Sequence, residues 1–554
     1  AGRPELRSLG PARPRPMLRI RREVADAGRP SAPPRRDGAP SRPGFAPVGF
    51  LRRIGARGSG GEGTFLVAPG RLSPPVGGRR WGLFAPIYAL RDRGTWGCGD
   101  LTALQSLGRW AARFGASALV TLPLLPAFLD LPFEPSPYRP VSRRFWNELY
   151  LDPVRTPEFR LSAGLGRRIR SAEFRRRVAE LEAREHVDFR AVARLKREIV
   201  EQMLREFGRA PAARRAAFRH FVARSEGLVE YSRFRAALEG HRPSAERYHR
   251  FVQWLVDEQI RRVARRLRRE GVTLGLDLPI GSHPRGFDAR RDAPLLARGV
   301  SIGSPPDPGV PEGQNWRLPA WDPERLRRAR FEPFVQMLRH ELSVAGILRI
   351  DHVLGLHRLF WIPAGAAPRD GAYVRYPAAE LYAVILAEAS RVGATVIGED
   401  LGTVPPELRP ELKRRGFLGV YVAQLEWDGP GPARRIPSLS VVSLNTHDHL
   451  PFAGYWRARA ARRPPPASDG FPPSPTPVAE AFRAASLALA RSPARLQLVN
   501  VEDLWGETRP QNEPGRSEGS FSRRGRLDLD GLRRRTDAAE LLCTFDAVRR
   551  RRHV

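Results

Sequence analysis

Acidic residues lie at or just beyond the ends of four short apolar segments of this sequence. They are Asp277, Asp351, Glu399 and Asp448. A single acid at such a place is most often the N-cap of the following helix. Several acids brought to one place are harder to explain as caps, because like charges at close range destabilise a fold. The repeated pattern therefore favours a cluster of carboxyl groups that does chemistry.

Paired carboxyl groups without Cys/His metal-ligand spacing fit the cleavage of a glycosidic bond. One carboxylate attacks the anomeric carbon, and a protonated carboxyl group donates to the leaving oxygen. These roles need different pKa values. Arg349 stands two residues before Asp351, on the same side of a strand, so its charge predicts an ionised Asp351 as the nucleophile. Glu399 has no such neighbour in sequence and can retain a proton.

Aromatic and amide side chains in polar segments predict the rest of a sugar site. Sugar rings stack on aromatic faces, and their hydroxyl groups need amide or carboxylate partners. Tyr138 lies between Pro137 and Arg139, while Trp316 follows Gly313, Gln314 and Asn315, and we expect both segments to be loops that contact substrate. Ordinary core packing is the prediction for three other tryptophans, Trp146, Trp254 and Trp361.

Eight short apolar runs alternate with longer amphipathic segments, and this alternation predicts the elements that position the acids. The runs are 83–89, 118–122, 273–278, 346–350, 395–398, 419–424, 441–444 and 496–499. Helical periodicity occurs between them, as in 101–114, 248–270, 323–345, 378–392 and 477–491. Such a pattern predicts a parallel sheet closed into a (β/α)8 barrel, whose active site lies at the carboxyl ends of the strands.

Three segments depart from the barrel repeat. Residues 155–245 are polar and helical in period, which predicts an inserted helical subdomain between strands 2 and 3 with solvated charged faces. Residues 462–477 are Pro-rich and predict a surface loop. Residues 1–75 are rich in Arg and Pro and form an N-terminal segment before a catalytic domain at 76–554.

The formal net charge is +35, from 94 basic and 59 acidic residues, which would suggest a polyanionic partner. Only Lys196 and Lys413 are lysines, and the arginines are spread over the whole chain with much Ala, Gly and Pro. This indicates a composition bias more than a binding surface, and predicts no nucleic-acid partner. Two cysteines and the lack of a long apolar run predict a cytoplasmic protein without a membrane span.

A set of motifs in order resembles the 4-alpha-glucanotransferases, which are also called amylomaltases or disproportionating enzymes. The resemblance extends from Trp81 to Arg524 and includes SPYRPVSRRFWNE at 136–148. The other matching segments are 187–189 with Lys196, 313–316, 349–352, 398–402, 446–448 and 454–456. It implies a (β/α)8 barrel of the alpha-amylase superfamily, and residues 1–70 would be a shortened N-terminal β-sandwich.

The resemblance also implies a role for each site residue in a retaining double displacement. Asp351 matches the nucleophile, Glu399 the general acid/base, and Asp448 the third acid. The substrate-binding positions that match are Tyr138, Asp277, Gln314, Trp316, Arg349, His447 and Asn512, with Gln314 and Trp316 in a loop that covers the acceptor. Two segments depart from the family pattern: His449 follows the third acid, and Phe521-Ser522-Arg523-Arg524 replaces an Asn-Trp type pair.

The sequence therefore predicts an enzyme that transfers α-1,4-glucan segments to the 4-hydroxyl group of a glucan, maltooligosaccharide or glucose acceptor. No metal or organic cofactor is predicted, and the oligomeric state is left open. Two alternatives stay open at this point. One is a glucan hydrolase of the same superfamily, and the other is an Arg-rich nucleic-acid-binding protein without catalysis.

Overall fold

The computed structural model describes residues 66–73, 78–130, 132–162, 164–240, 243–307, 310–427, 435–461, 471–472, 476–513 and 519–550. The predicted N-terminal segment lies mostly outside the described residues, and so does most of the predicted loop at 462–477. No helix in the described ranges is long and apolar enough to cross a membrane.

The strands in the described part of the chain are numbered in chain order. They are β1 (Arg80–Phe84), β2 (Ala118–Val120), β3 (Phe128–Leu129), β4 (Phe133–Glu134), β5 (Thr273–Leu278), β6 (Val300–Ser304), β7 (Gln314–Leu318), β8 (Ile347–Ile350), β9 (Arg358–Pro363), β10 (Ala372–Arg375), β11 (Thr395–Gly398), β12 (Leu418–Val422), β13 (Ser440–Ser443) and β14 (Leu496–Asn500). Eight of them are parallel and close into a barrel in the order β1, β2, β5, β8, β11, β12, β13, β14. The predicted (β/α)8 barrel is therefore confirmed.

Seven of the eight predicted strand segments agree with barrel strands to within two residues at each end. The first prediction, 83–89, is displaced, because β1 ends at Phe84 and Ile87–Ala89 form a 3-10 turn. Pro86 has no backbone N–H to continue a ladder. The turn is fully buried, so its residues are as apolar as those of a strand and the sequence pattern runs on through it.

Helices surround the barrel. They are α1 (Leu101–Ala112), α2 (Pro157–Leu161), α3 (Leu165–Arg170), α4 (Ala172–Ala183), α5 (Phe189–Glu206), α6 (Ala212–Arg224), α7 (Leu228–Ala237), α8 (Pro243–Arg269), α9 (Phe287–Arg291), α10 (Pro323–Arg328), α11 (Glu332–Leu342), α12 (Ala378–Val392), α13 (Leu408–Arg415), α14 (Ala423–Glu426), α15 (Phe452–Ala461), α16 (Val478–Arg491), α17 (Leu529–Arg533) and α18 (Thr536–Arg550). The helix predicted at 323–345 is instead two helices, because Arg330 and Phe331 adopt left-handed backbone angles.

Helices α2 to α7 lie between β2 and β5, as the predicted helical insertion requires. The buried Lys196 of α5 attaches this insertion to the barrel side, since its ammonium group donates to the carbonyl oxygens of Leu149 (2.6 Å) and Leu151 (2.9 Å). Charged side chains of α5 pair along the helix, as Arg197 does with Glu201. Such pairing is typical of a solvated helix face.

A second, antiparallel sheet in the order β10, β9, β6, β7 was not predicted. It corrects the expectation that Gln314 and Trp316 lie in a loop, because both belong to β7. Their segment is short and polar, and β7 becomes a strand by pairing with β6, Ser304 opposite Gln314. That pairing is long-range, so local sequence gives little sign of it.

Candidate active site

The parallel barrel brings the predicted acids to one end. Asp277 is the fifth residue of β5, Asp351 directly follows β8, and Glu399 directly follows β11. His447 and Asp448 follow β13 by four and five residues. Because all eight barrel strands run in the same direction, these residues lie at the carboxyl-terminal mouth, where barrel enzymes carry their active sites.

Arg349 joins two of the acids. It lies opposite Asp277 in the register of β5 and β8, and its guanidinium donates to both oxygens of that carboxyl group at 2.7 Å. The same nitrogen donates to Asp351 Oδ1 at 2.9 Å. The Tyr138 hydroxyl donates to Asp277 Oδ2 at 2.7 Å. Arg349 therefore holds two carboxyl groups in fixed positions, and Tyr138 completes the partners of the buried one.

Glu399 is held by backbone groups. Its two carboxyl oxygens accept hydrogen bonds from the N–H groups of His352 and Leu401, both at 2.8 Å. His352 has φ +46° and ψ 60°, a left-handed conformation that costs a non-glycine residue about 1–2 kcal/mol. The Trp316 ring meets the His352 ring edge to face at 5.1 Å. The antiparallel sheet thus places Trp316 beside the turn that follows Asp351.

The third acid is bound by His447 and Asn512. His447 Nε2 lies 3.2 Å from one oxygen of Asp448, and Asn512 Nδ2 donates to the other at 2.6 Å. The backbone N–H of Asn512 donates to the His447 carbonyl oxygen. Asn512 therefore contacts Asp448 itself, while its predicted contact with substrate stays a prediction.

Two aromatic residues near the site were missed by sequence reasoning. Phe521 lies 5.7 Å from the Tyr138 ring and 6.1 Å from the His447 ring. Phe84, the last residue of β1, stacks on His447 at 6.0 Å. The strand-end argument that selected the acids could have found Phe84. Phe521 belongs to the segment that departs from the family pattern, and only the tertiary structure brings it here.

Burial raises the pKa of both Asp351 and Glu399. The Arg349 charge opposes this shift at both carboxyl groups, although of these two only Asp351 accepts a hydrogen bond from the guanidinium. The Arg349 charge therefore reaches Glu399 through space, although no arginine neighbours Glu399 in sequence. The negative charge of Glu399 raises the pKa of Asp351 further, so ionisation of one carboxyl group disfavours ionisation of the other.

Asp448 differs from the other two acids. Burial acts to raise its pKa, but the nearby His447 and the hydrogen bond from Asn512 outweigh burial and lower it. The site therefore combines an ionised acid with a pair that can hold one proton. This is the arrangement that glycosidic cleavage needs. Among the described residues, no group of three or more His, Cys, Asp or Glu side chains has metal-binding geometry.

Comparison with known proteins identifies the family. The model of one protein family, described as 4-alpha-glucanotransferase, matches residues 85–247 and 242–530. The chain belongs to the 4-alpha-glucanotransferase family. Its members include a 4-alpha-glucanotransferase of Mycobacterium tuberculosis H37Rv that is 34% identical, across 86% of this chain and 75% of the relative. The 4-alpha-glucanotransferase of Haemophilus influenzae is 31% identical, across 71% of this chain and 63% of the relative.

Solved structures agree with this family assignment. The amylomaltase of Corynebacterium glutamicum superimposes with a TM-score of 0.78 and 27% identity, over 89% of this chain and 78% of that structure. The amylomaltase of Streptococcus agalactiae, solved with acarbose, shares the fold with a TM-score of 0.70 and 18% identity, over 85% of this chain and 99% of that structure. Neither of the two alternatives, a glucan hydrolase or a nucleic-acid-binding protein, is favoured by these comparisons.

Proposed function

We propose that this member of the 4-alpha-glucanotransferase family cleaves an α-1,4 bond at the barrel mouth and transfers the glucan to an acceptor 4-hydroxyl group. Asp351 is the nucleophile, Glu399 the general acid/base, and Asp448 the acid that binds ring hydroxyl groups of the substrate. One observation carries the assignment of roles. Arg349 donates a hydrogen bond to Asp351 at 2.9 Å, whereas it acts on Glu399 only through space.

In the first half of the reaction, the carboxyl proton of Glu399 passes to the leaving glycosidic oxygen. A carboxylate oxygen of Asp351 attacks the anomeric carbon, so an ester bond to Asp351 forms as the glycosidic bond breaks. Arg349 favours this step by stabilising Asp351 in its charged form. The buried Asp277, bonded to Arg349 and Tyr138, keeps the guanidinium in place.

In the second half, the Glu399 carboxylate takes the proton of the acceptor 4-hydroxyl group. The acceptor oxygen attacks the anomeric carbon, and the ester bond to Asp351 breaks. The new glycosidic bond has the original configuration, because two inversions occur at one carbon. Protons and bonds balance over the two halves without a redox partner.

Transfer exceeds hydrolysis only if a sugar acceptor reaches the ester before water does. Trp316 beside His352, and Tyr138 stacked on His447, are partly exposed and provide aromatic surfaces near the acids. Such surfaces bind sugar rings and displace water, which supports an acceptor glucan in this position.

Incubation with maltotriose alone tests the proposal. We expect glucose together with maltopentaose and longer products, and no such ladder from the Asp351→Asn variant. Only products shorter than maltotriose would indicate a hydrolase instead. A wild-type protein that forms no products but binds duplex DNA in a salt-sensitive way would support the nucleic-acid alternative.

The physiological donors in this proposal are glycogen and maltodextrins, and the proposed compartment is the cytoplasm. Both follow from the chemistry of the site and from the low cysteine content of the chain. Incubation with glycogen and labelled glucose tests the donor. We expect label to enter longer glucans, and the donor assignment is wrong if label remains only in glucose.

A further inference from the structure

Residues 445–451, here named the Asp448 loop, connect β13 to α15 and carry both His447 and Asp448. The bonds found within the loop are local, such as those from Thr446 to His449 and from the Asp448 N–H to Thr446. Local bonds of this kind fix the shape of the turn and leave its position relative to the barrel free. Contacts from outside the loop must therefore determine where Asp448 points.

Asp503 bonds both ends of the Asp448 loop from one side. It lies in the 3-10 turn Val501–Trp505 that follows β14, with 6% of its surface exposed. One carboxyl oxygen accepts from Asn445 Nδ2 at 2.8 Å, at the beginning of the loop. The other accepts from the Phe452 N–H at 2.6 Å, directly after the loop. A single carboxylate thus fixes the separation of the two loop ends.

Gln424 bonds the same loop from the opposite side. It follows β12, the other strand beside β13, and is 7% exposed. Its backbone N–H donates to the Leu444 carbonyl oxygen at 3.1 Å, and its side-chain amide donates to the Leu450 carbonyl oxygen at 3.1 Å. The two neighbours of β13 therefore hold the loop in the same manner, each with one bond near the beginning and one near the end.

Burial of a carboxyl group at position 503 opposes folding unless its oxygens find donors. Burial raises the pKa of Asp503 to about 7, and only Phe452 and Asn445 oppose that rise among the described residues. Although the chain has 94 basic residues, no guanidinium group in its described part contacts this carboxyl group directly. The hydrogen bonds from Asn445 and Phe452 are thus the interactions that stabilise this buried acid.

We propose that Asp503 and Gln424 are positioning residues that set the placement of Asp448 through the two ends of its loop. The inference rests on the proposed function, since it takes Asp448 as a group that binds substrate. Neither residue touches the reacting atoms in this scheme. A shift of about 1 Å in a group that orients substrate can lower a rate about 100-fold, so loss of the Asp503 bonds should lower kcat about 10- to 100-fold and change KM less.

The test compares Asp503→Asn with Asp152→Asn as a matched control. Asp152 is 7% exposed and likewise accepts from one backbone N–H, that of Val154, and from one side chain, that of Thr102, although the Arg155 guanidinium also lies 3.9 Å from it. It has no bond to the Asp448 loop. With maltotriose as substrate, Asp503→Asn is expected to lower kcat 10- to 100-fold, whereas Asp152→Asn lowers it less than 3-fold at a similar loss of melting temperature.

A double-mutant cycle with Asp448→Ala separates positioning from general destabilisation. If Asp503 acts through Asp448, the Asp503→Asn change should lower activity less than 3-fold once Asp448 is absent, measured with glucosyl fluoride as an activated donor. Equal losses in both backgrounds would refute the inference. So would equal kcat values for Asp503→Asn and Asp152→Asn.

Gln424→Met keeps the experiment decisive if Asp503→Asn does not fold. This change removes the bond to Leu450 and leaves the backbone bond to Leu444, and it should lower kcat about 3- to 10-fold with the same dependence on Asp448. An unchanged kcat would overturn the inference. A wild-type protein that makes no glucan ladder from maltotriose would instead overturn the proposed function, so the two failures are distinguishable.

Discussion

Replacing Arg349 with Gln should move the pH dependence of transfer in a predictable direction. The guanidinium donates to Asp351 at 2.9 Å and opposes the rise in pKa that burial causes there. Without the positive charge, the pKa of Asp351 is higher, so a higher pH is needed to ionise Asp351 as the nucleophile. The acidic limb of kcat/KM is therefore expected to move toward higher pH.

The size of the shift follows from the distance. Two unit charges 4 Å apart interact by about 4 kcal/mol at an effective dielectric constant of 20, which equals about 3 pKa units. Opposite charges this close lower a carboxyl pKa by about 1–3 units in proteins. The Arg349→Gln limb should therefore lie about 1–3 pH units above the wild-type limb.

The same change should make stability depend more strongly on pH. Asp277 loses two hydrogen bonds at 2.7 Å and retains the one from Tyr138. Burial already raises the Asp277 pKa above its ordinary value, and loss of the cation raises it further. A carboxyl group whose folded pKa is raised loses stability as pH rises toward that pKa. The loss of melting temperature should be larger at pH 8 than at pH 5.

The assay measures initial rates of glucose release from maltotriose between pH 4 and 9, with Arg349→Lys as the control that keeps the charge. The lysine variant should retain a limb within about one pH unit of wild type, although its single ammonium group cannot reproduce all three bonds. If Arg349→Gln lowers the rate equally at every pH, Arg349 binds substrate without controlling Asp351, and the electrostatic argument is wrong.

Three further outcomes are expected. Asp351→Asn should lower transfer about 10⁴-fold or more with an unchanged or higher melting temperature, since burial disfavours the charged form of Asp351; activity near wild type in the product ladder would contradict its role. Glu399→Gln should lose activity on maltotriose but recover at least about 10-fold on glucosyl fluoride, whose leaving group needs no proton; equal losses on both donors would argue against an acid role. Trp316→Ala should raise the ratio of hydrolysis to transfer about 3-fold or more, measured as reducing ends formed per glucan elongated, and an unchanged ratio would exclude an acceptor contact.

The barrel could be predicted because buried parallel strands appear in sequence as nearly continuous apolar runs. Segments 273–278 and 395–398 coincide with β5 and β11 for this reason. The acids at the strand ends could be named because a parallel barrel brings all carboxyl ends to one mouth. The error at β1 shows the corresponding weakness, since a buried 3-10 turn after Phe84 has the same apolar composition as a strand.

Only the tertiary structure decided the contacts that adjust the chemistry. Tyr138 and Asp277 are 139 residues apart, Asn512 and Asp448 are 64 apart, and their bonds depend on how distant segments meet. Local periodicity determines which residues face a core, but it contains no information on which loops come together above the barrel. The tertiary structure creates the hydrogen bond from the His352 N–H to Glu399 and the bonds that Asp503 accepts at the ends of the Asp448 loop. Each of these bonds requires two chain segments to lie within about 3 Å of each other.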